Sequence, residues 1–517
     1  MKAETTQRPR SRGTGMAWTD TARTGPRFGG SVVALERELR RRLRGEVRFD
    51  GGSRALYATD ASNYRQVPIG VVIPRDTDDV MEAVAVCRRH GAPITHRGAG
   101  TSLAGQTCNV AVIIDHSKYL DRIVDVDPAR KIAVVEPGVR RDQLAHRCER
   151  EHGLTFAPDT STHAFATFGG MIGNNACGVH SVMAGRTDEN VEAMEVLTYD
   201  GCRLRVGPTS EAELERIIRA GGRKGDIYRR LRDLRGRYAD VIRARTPDLP
   251  RLVSGYYLYY LLPEHGFNVA RALVGTEGTC VTILEATLRL VPSPPCRALL
   301  VLGYPDVYAA GDHIPEIHEC EPIGLEGFDD LLVRYMHEKK LHLDTLRLLP
   351  DGKGFLFAEF GGETEAEAVG RARRCAEMLE RRHGPDAPRA MVVEDHATQR
   401  KLWEVREAGL AATAHLEGET WPGWEDSAVP PERFGQFWGL VRSALAPGGH
   451  GEVREALGQQ QEVRRGPQGI GEADREHVVD AARSAPREDD VEPGDHRRPE
   501  KPREEDEGCQ DSAAHHR

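Results

Sequence analysis

Residues 97 to 106 form a glycine-rich segment with clear chemical potential. Most of its residues are small or carry hydroxyl groups, and it lies between apolar runs at residues 93–95 and 110–115. Glycines leave backbone N–H groups uncovered, so such a loop can fold into a concave nest that holds a phosphate anion. We therefore predict contacts to a nucleotide or dinucleotide from Arg97, Gly98, Ala99, Gly100, Thr101, Ser102, Gly105 and Gln106.

Two common phosphate-binding motifs do not fit this loop. A Rossmann fingerprint needs a third glycine at the position where the chain has Leu103. A Walker loop needs G-x-x-x-x-G-K-[ST], and that string occurs nowhere in the sequence. For this segment taken alone, a plain glycine-rich turn remains the alternative.

A second segment, residues 158–178, is also rich in small residues. Small side chains let backbone pack flat against a planar ring, and asparagine amides can reach ring or phosphate edges. The alternative is a glycine-rich helix packed closely on a strand. The predicted cofactor contacts are Pro158, Asp159, Thr160, Ser161, Gly169, Gly170, Gly173, Asn174, Asn175 and Gly178.

A third segment lies just before the predicted strand 283–291. Its predicted cofactor contacts are Gly275, Thr276, Glu277, Gly278 and Thr279. Each segment is moderately specific by itself, whereas all three in this order are strongly specific.

Composition excludes several classes of protein. The chain has 517 residues, 39% of them hydrophobic, and a net charge of −9 with acidic and basic residues mixed, which argues against a nucleic-acid surface. No apolar run is long enough to cross a bilayer, and the polar N-terminus is no secretory signal. The ten cysteines form no C-x-x-C pair. We expect reduced thiols in a cytoplasmic protein, with peripheral association at a membrane left open.

Periodicity divides the chain into segments. An α/β pattern begins near residue 70, where Asp76 or Thr77 can cap a helix that ends at Gly91. Asp200-Gly201 predicts a hairpin, and residues 210–245 read as charged helices. We expect a disordered N-terminus (1–28), a cofactor-binding domain (29–295, with subdomains 29–120 and 121–295), an α+β domain (296–437) and a disordered charged tail (438–517).

The tail is unusual. After Trp438 the chain contains no Phe, Tyr or Trp, and too little apolar surface to offset its ordering entropy. It reads either as a disordered interaction tail or as the product of a reading-frame change near residue 437. The abrupt loss of pattern inside an expected domain favours the second interpretation.

Together the three segments resemble the FAD-binding domain of the vanillyl-alcohol oxidase / p-cresol methylhydroxylase (PCMH) superfamily. Within it, the chain is similar to the group formed by D-lactate dehydrogenase and the flavin-binding component of glycolate oxidase, as in proteins that fuse this flavoprotein to an iron–sulfur half. Pro74-x-x-Thr77-x-x-Val80 matches the first turn of that family's helix, and the resemblance covers residues 55–436. It implies an α+β fold with a two-subdomain PCMH-type FAD-binding domain and an α+β cap domain that is incomplete here.

The resemblance also implies how FAD lies between the subdomains. Residues 97–106 would hold the pyrophosphate, residues 158–162 and 169–178 would line the ribityl chain and isoalloxazine, and residues 275–279 would complete the pocket. Some relatives attach flavin covalently through histidine. The glycine loop contains no histidine, so we expect non-covalent FAD.

Family members oxidise the α-carbon of a D-2-hydroxy acid. Flavin N5 accepts a hydride while a base, which we do not identify, takes the hydroxyl proton. Electrons then pass to a quinone, a cytochrome or an iron–sulfur partner. Residues 402–407 resemble the motif whose arginine holds the substrate carboxylate, which points to Arg406. The alternative for Arg406 is a surface arginine on an amphipathic helix.

The resemblance breaks where the family binds a divalent metal. Many relatives carry H-G-D-G-N-x-H and a later G-E-H-G, and residues 424–431 still match the text that precedes these motifs. Here Gly448-Gly449-His450-Gly451 resembles the later motif only superficially, and Glu476-His477 is followed by Val478 where the motif needs glycine. We predict no metal ligand, and we expect a truncated chain that binds FAD but turns over poorly.

Two alternatives remain. The same FAD fold serves sugar and alcohol oxidases and an NADPH-dependent reductase of a cell-wall nucleotide sugar, although the Leu402-Trp403-x-x-Arg406 segment counts against these. The chain could also be a non-catalytic flavin-binding fragment whose charged tail contacts partners.

Overall fold

The structure, a computed structural model, describes residues 28–409, 412, 429–437 and 439. The elements form three groups along the chain. The first group consists of α1 (Val32–Arg42), β1 (Glu46–Arg48), α2 (Gly51–Leu56), β2 (Gly70–Ile73), α3 (Thr77–His90), β3 (Ile94–Arg97) and β4 (Val112–Asp115).

These first strands form a four-stranded sheet in the order β1-β2-β4-β3. Strands β2, β4 and β3 are parallel, and β1 runs antiparallel at the edge. As predicted, the Asp76 side chain caps α3 by accepting from the Asp79 N–H at 3.1 Å. Gly91 ends the helix with a φ of +66°, a conformation that glycine adopts without strain. The carboxyl end of β3 therefore delivers the chain directly into the glycine-rich loop.

The second group begins after residue 122. It consists of β5 (Ile123–Asp127), β6 (Ile132–Val135), α4 (Arg141–His152), β7 (Leu154–Thr155), α5 (Phe168–Asn174), α6 (Ser181–Ala184), β8 (Val191–Leu197), β9 (Arg203–Val206), α7 (Glu211–Ala220), α8 (Gly222–Arg245), α9 (Val269–Leu273), β10 (Thr282–Arg289) and β11 (Val291–Pro292).

Five of these strands form an antiparallel sheet in the order β5-β6-β10-β8-β9, while β7 pairs with β11. The predicted hairpin at Asp200-Gly201 joins β8 to β9. The predicted charged helices are α7 and α8. The apolar faces of this sheet and of α4 and α5 share one core, which includes Phe156, Phe168 and Met194. The helix α5 is consequently fixed on the sheet.

The third group follows the proline-rich joint at residues 292–295. It consists of β12 (Cys296–Tyr304), α10 (Val307–Asp312), α11 (Ile314–His318), β13 (Gly324–Asp329), α12 (Asp330–Lys339), α13 (Leu343–Leu346), β14 (Gly354–Gly362), α14 (Glu365–His383), β15 (Arg389–Val393) and α15 (His396–Glu407).

Its strands form a separate antiparallel sheet in the order β13-β14-β12-β15. Helix α14 packs with one face of this sheet, and α12 and α15 pack with the other. All nine residues of β14 are buried, which explains their nearly continuous apolar sequence. The one carboxylate among them, Glu359, is 4% exposed. The predicted α+β class is confirmed, and the residues after 439 lie outside the described part of the chain.

Candidate functional site

Three glycine-rich turns meet at one cleft, which we call the dinucleotide cleft. It has about 700 Å³ of empty space, part of which is open to solvent. Ten of the residues predicted to bind cofactor line it, namely Arg97, Gly98, Ser102, Gln106, Gly169, Gly170, Gly173, Asn174, Glu277 and Gly278. Seven lining residues were not predicted, namely His96, Thr107, His116, Pro137, Thr167, Val281 and Ile283.

The loop after β3 presents a run of backbone donors. Within the described residues, the N–H groups from Gly98 to Leu103 have no hydrogen-bond acceptor, whereas Ala104 N donates to Gln106 Oε1 at 3.2 Å. Gly100 has a φ of +72°, which permits the sharp turn that brings successive N–H groups together. Unpaired backbone donors on a loop that lines a cleft are suited to an oxyanion.

Arg97 holds the shape of this loop. Its guanidinium donates to the Thr59 carbonyl oxygen at 2.9 Å and to the Thr107 carbonyl oxygen at 3.5 Å. The Gly100 carbonyl oxygen accepts from the Ala61 N–H at 3.1 Å. The loop is thus tied to the 59–61 segment, and Arg97 both supports it and brings a positive charge to the cleft wall.

The second turn begins helix α5. Thr167 caps it, and the N–H groups of its first turn already donate to protein acceptors, such as Gly169 N to the Pro137 carbonyl oxygen at 2.8 Å. A β-carbon on Gly98 would lie 2.2 Å from Thr167 Oγ1, so Gly98 allows the loop to touch the helix. A β-carbon on Gly173 would meet only Glu277 Cα, at 3.8 Å, and would otherwise lie in open space.

The third turn is clamped onto the end of α5. Gly275 N donates to the Ile172 carbonyl oxygen at 2.8 Å, and Glu277 N donates to the Gly173 carbonyl oxygen at 2.9 Å. On the opposite side, Gln106 Nε2 reaches Asn174 Oδ1 at 3.5 Å. Helix α5 therefore contacts both other turns and joins them into one wall.

Two histidines that sequence reasoning missed also line the dinucleotide cleft. His96 Nδ1 lies 3.0 Å from His116 Nε2, and His96 Nε2 lies 2.8 Å from Thr282 Oγ1. Burial, and for His96 also the neighbouring His116, lowers the pKa values to about 3 for His96 and about 4 for His116. His116 Nδ1 is buried without a hydrogen-bond partner in the described structure. The sequence feature that could have identified these histidines is their position at the carboxyl ends of β3 and β4, where ligands commonly bind in α/β sheets.

Not every predicted cofactor residue lies at the dinucleotide cleft. Asn175 is buried, and its Oδ1 accepts from the Asp188 N–H at 2.9 Å. The Thr276 hydroxyl donates to the Leu273 carbonyl oxygen at 2.8 Å, and the Thr279 hydroxyl to the Thr276 carbonyl oxygen at 2.6 Å. The other predicted residues that do not line this cleft are Ala99, Gly100, Thr101, Gly105, Pro158, Asp159, Thr160, Ser161, Gly178 and Gly275.

Asp159 lines a second, larger space, which we call the junction cleft. It has about 1830 Å³ of empty space, part of it open to solvent, between residues of the second and third groups of elements. The Asp159 carboxylate accepts from His180 Nδ1 at 2.7 Å, and His180 Nε2 lies 2.8 Å from Glu359 Oε2. Trp403 and Glu407 of α15 line the opposite side.

Arg406, the predicted carboxylate ligand, lies on α15. Its Nη2 is 3.1 Å from Glu326 Oε1, and its Nε is buried without a partner in the described structure. The Nε–H of Arg406 is therefore a hydrogen-bond donor without an acceptor among the described residues. Its function in binding substrate stays a prediction.

Within the described ranges, no group of three or more His, Cys, Asp or Glu side chains could hold a metal ion. His450, Glu476 and His477 lie outside those ranges. Among the helices that the structure describes, none is long and apolar enough to cross a membrane.

A two-part α+β unit with three glycine-rich turns around one cleft, followed by a domain built on an antiparallel sheet, defines a flavoprotein of the PCMH type. The chain carries the two domains that characterise FAD-linked oxidases. Residues 68–207 match the FAD binding domain family, and residues 293–453 match the C-terminal domain of FAD linked oxidases. The second match extends past residue 437, where we placed the break in the sequence pattern.

Curated relatives agree with this assignment. The chain is 29% identical over 414 residues to D-2-hydroxyglutarate dehydrogenase of Pseudomonas putida, covering 78% of this chain and 41% of the relative. It is 27% identical over 393 residues to the glycolate oxidase subunit GlcD of Bacillus subtilis, covering 75% and 70%. The chain thus spans about two-fifths of the length of the first relative.

A solved structure supports the fold. The chain resembles p-cresol methylhydroxylase with a TM-score of 0.50 at 15% sequence identity, covering 74% of this chain and 71% of the other. The predicted PCMH-type architecture is confirmed, and the chain is similar in sequence to 2-hydroxy-acid dehydrogenases and oxidases.

Proposed function

We propose that this chain binds FAD non-covalently in the dinucleotide cleft and oxidises the α-carbon of a D-2-hydroxy acid. The observation that carries the proposal is the convergence of the three glycine-rich turns on a loop whose Gly98 to Leu103 N–H groups lack acceptors in the described structure. A pyrophosphate supplies the anionic oxygens that such donors need. Bound FAD supplies a hydride acceptor at its N5 atom.

The cleft has the two surfaces that a dinucleotide requires. The loop after β3 provides donors at one part of the wall, and Pro137, Val281 and Ile283 provide apolar surface suited to a planar ring. Gly170 and Gly173 have no side chains, so a ligand can approach the backbone of α5 closely. We propose that the predicted residues 158–161 lie toward the flavin ring, because Asp159 lines the junction cleft next to the C-terminal domain.

Arg406 is the proposed ligand of the substrate carboxylate. Its side chain is 31% exposed, and its positively charged guanidinium pairs with Glu326 at 3.1 Å. A planar guanidinium binds a carboxylate through two parallel hydrogen bonds, which orients the substrate as well as attracting it. The Arg406 Nε–H, which is buried and has no partner among the described residues, is one of the donors that we propose for this contact.

We propose that electrons leave to a quinone, a cytochrome or an iron–sulfur protein. The P. putida relative is named a dehydrogenase, and it is far longer than this chain, so further domains or partners can supply the acceptor. We expect slow turnover by this chain, because the metal-binding motifs of the family were not found in its sequence.

An anaerobic titration of purified, FAD-loaded protein tests the proposal. D-lactate, glycolate and D-2-hydroxyglutarate are added separately while the visible flavin band is recorded, with L-lactate as the enantiomeric control. Bleaching by one or more of the first three compounds, but not by L-lactate, is the expected result. Bleaching by NADPH alone would assign the chain to the reductases, and a protein that binds FAD but bleaches with none would be a non-catalytic flavoprotein.

A further inference from the structure

Two histidines at the junction cleft connect the FAD-binding domain with the C-terminal domain in the same way. His163 lies between Asp142 of α4 and Glu407 of α15, with distances of 2.6 Å from Nδ1 and 3.5 Å from Nε2. His180 lies between Asp159 and Glu359 of β14, with distances of 2.7 Å from Nδ1 and 2.8 Å from Nε2. In each case the aspartate belongs to the first domain and the glutamate to the second.

This geometry favours the protonated form of both imidazoles. An ionised carboxylate only accepts hydrogen bonds, so a ring with a carboxylate at each nitrogen must donate from both. Arg297 Nη1 approaches His180 Nε2 at 3.4 Å, but it also lies 3.1 Å from Glu359 Oε2, which is therefore the acceptor that both groups share. Trp403 Nε1 donates to the other oxygen of Glu359 at 3.3 Å.

The charges around each ring are consistent with two imidazolium ions. Asp142 and Glu407 face His163, and Arg141 pairs with Asp142 at 3.1 Å. Hydrogen bonds that the His163 ring donates to the two carboxylates raise its pKa to about 10. Asp159, Glu359 and Arg297 face His180.

Burial disfavours the charged form of His180, but the Asp159 and then the Glu359 carboxylate outweigh it and raise the His180 pKa to about 9. The pKa values of Asp159 and Glu359 are lowered, since His180 stabilises their ionised forms against the cost of burial.

We propose that His163 and His180 are positioning residues that hold the C-terminal domain, and with it the Arg406 helix α15, against the FAD-binding domain. Each bridge ends at or beside α15. Glu407 follows Arg406 directly, and Glu359 binds the Trp403 side chain one turn earlier. The part of the inference that concerns substrate binding rests on the proposed function, whereas the part that concerns domain docking does not.

A matched pair of conservative variants tests the bridge formed by His163, which we call the outer bridge, without disturbing the core. Glu407→Gln removes the charge that His163 faces, and Glu404→Gln changes a neighbouring residue of α15 that lines the same cleft but forms no ion pair with any described residue. Hydrogen–deuterium exchange of α15 is measured at neutral pH in both. We expect roughly fivefold faster exchange in Glu407→Gln, the factor that a partly exposed ion pair of about 1 kcal/mol supplies, and no change in Glu404→Gln.

The bridge formed by His180, which we call the inner bridge, is tested with His180→Gln. His146→Gln is the control, because His146 lines the same cleft without a hydrogen bond or ion pair to the described part of the chain. FAD titration and thermal unfolding accompany the exchange measurement, so that a misfolded variant is recognised. We expect His180→Gln to bind FAD, to expose α15 and β14 to faster exchange, and to raise KM for the 2-hydroxy acid more than it lowers kcat.

A measurement on the unmodified chain needs no substitution, so misfolding of a variant cannot affect it. Docking should be fully present below pH 6.5 and should weaken as pH rises through 9 to 10, where His180 and His163 lose their protons. The double variant His163→Gln/His180→Gln should lack this difference between neutral and alkaline pH.

The inference would be overturned if exchange of α15 were unchanged in Glu407→Gln and in His180→Gln, and if the unmodified chain were equally protected at both pH values. FAD-loaded protein that shows docking but no reduction would instead contradict the proposed function alone.

Discussion

His96 Nδ1 and His116 Nε2 lie 3.0 Å apart at the dinucleotide cleft, and both rings are neutral at physiological pH because burial lowers their pKa values to about 3 and about 4. The unfolded chain binds protons near the ordinary pKa of 6.5, whereas the folded chain does not. Stability should therefore fall as pH drops below 6.5, by about 2 kcal/mol for each histidine between pH 6.5 and pH 5.

Denaturant unfolding at these two pH values, with and without His116→Phe, measures this effect. The variant should lose less stability on acidification than the unmodified chain, because one of the two titrating groups is gone. His146→Gln, which changes an exposed histidine, serves as the control and should leave the pH dependence as it is. Equal pH dependence in all three proteins would show that the pair is not the source.

Gly98→Ala should weaken FAD binding. The added β-carbon would lie 2.2 Å from Thr167 Oγ1, so the loop must move away from α5 and its N–H groups must turn with it. We expect the Kd for FAD to rise about tenfold, which corresponds to roughly 1.4 kcal/mol. Quenching of flavin fluorescence measures the Kd. Gly236→Ala, in α8 with open space around the position, is the control and should bind FAD normally.

Arg406→Ala should raise KM for the 2-hydroxy acid by roughly 10- to 100-fold, the range expected for losing charge-assisted hydrogen bonds of about 1.5–3 kcal/mol. Arg406→Lys keeps the charge but lacks the planar fork, so it should restore only part of the affinity. Steady-state kinetics with an artificial electron acceptor gives both values. An unchanged KM in Arg406→Ala would remove this residue from the proposed substrate site.

Asp188→Ala should destabilise the FAD-binding domain by about 3–5 kcal/mol, because it leaves a buried arginine without its partner. Asp188 is fully buried, and its carboxylate accepts from Arg186 Nε and Nη2 at 3.0 Å each and from the Tyr260 hydroxyl at 3.0 Å. Asp240→Ala, at a fully exposed position, should change stability little. Urea unfolding of the two variants supplies the comparison.

The other reading frames of the coding sequence beyond codon 437 should contain a histidine-rich metal motif. Translation of each frame tests this at once, and a chain that continues in the restored frame should reduce its flavin faster with a 2-hydroxy acid than the present chain does. If neither frame contains such a motif, the tail after residue 437 is the natural continuation of this protein.

Glycine placement allowed the dinucleotide cleft to be predicted from the sequence. The turn at Gly100 and the close contact at Gly98 depend on the absence of a side chain, which the sequence states directly. The helix caps at Asp76 and Gly91 depend only on contacts with residues nearby in the sequence. These features need only a few neighbouring residues, so pattern and residue type suffice.

Contacts between distant segments could not be predicted in this way. The pairing of His96 with His116 depends on the parallel register of β3 and β4, and its second partner, Thr282, lies on another sheet. Asn175 reads as a candidate ring-binding amide, but the fold brings Asp188 to it and uses the side chain in the core. Both outcomes follow from strand register and packing between segments.

The glycine loop after β3 depends on its ligand in a further respect. Six successive main-chain donors, Gly98 to Leu103, have no acceptor among the described residues; such donors are tolerable while water reaches them but costly when they are buried. Flavin is thus expected to act as a late folding component that completes this half of the protein. Chain prepared without FAD should therefore be cleaved faster by a protease in this loop than FAD-loaded chain.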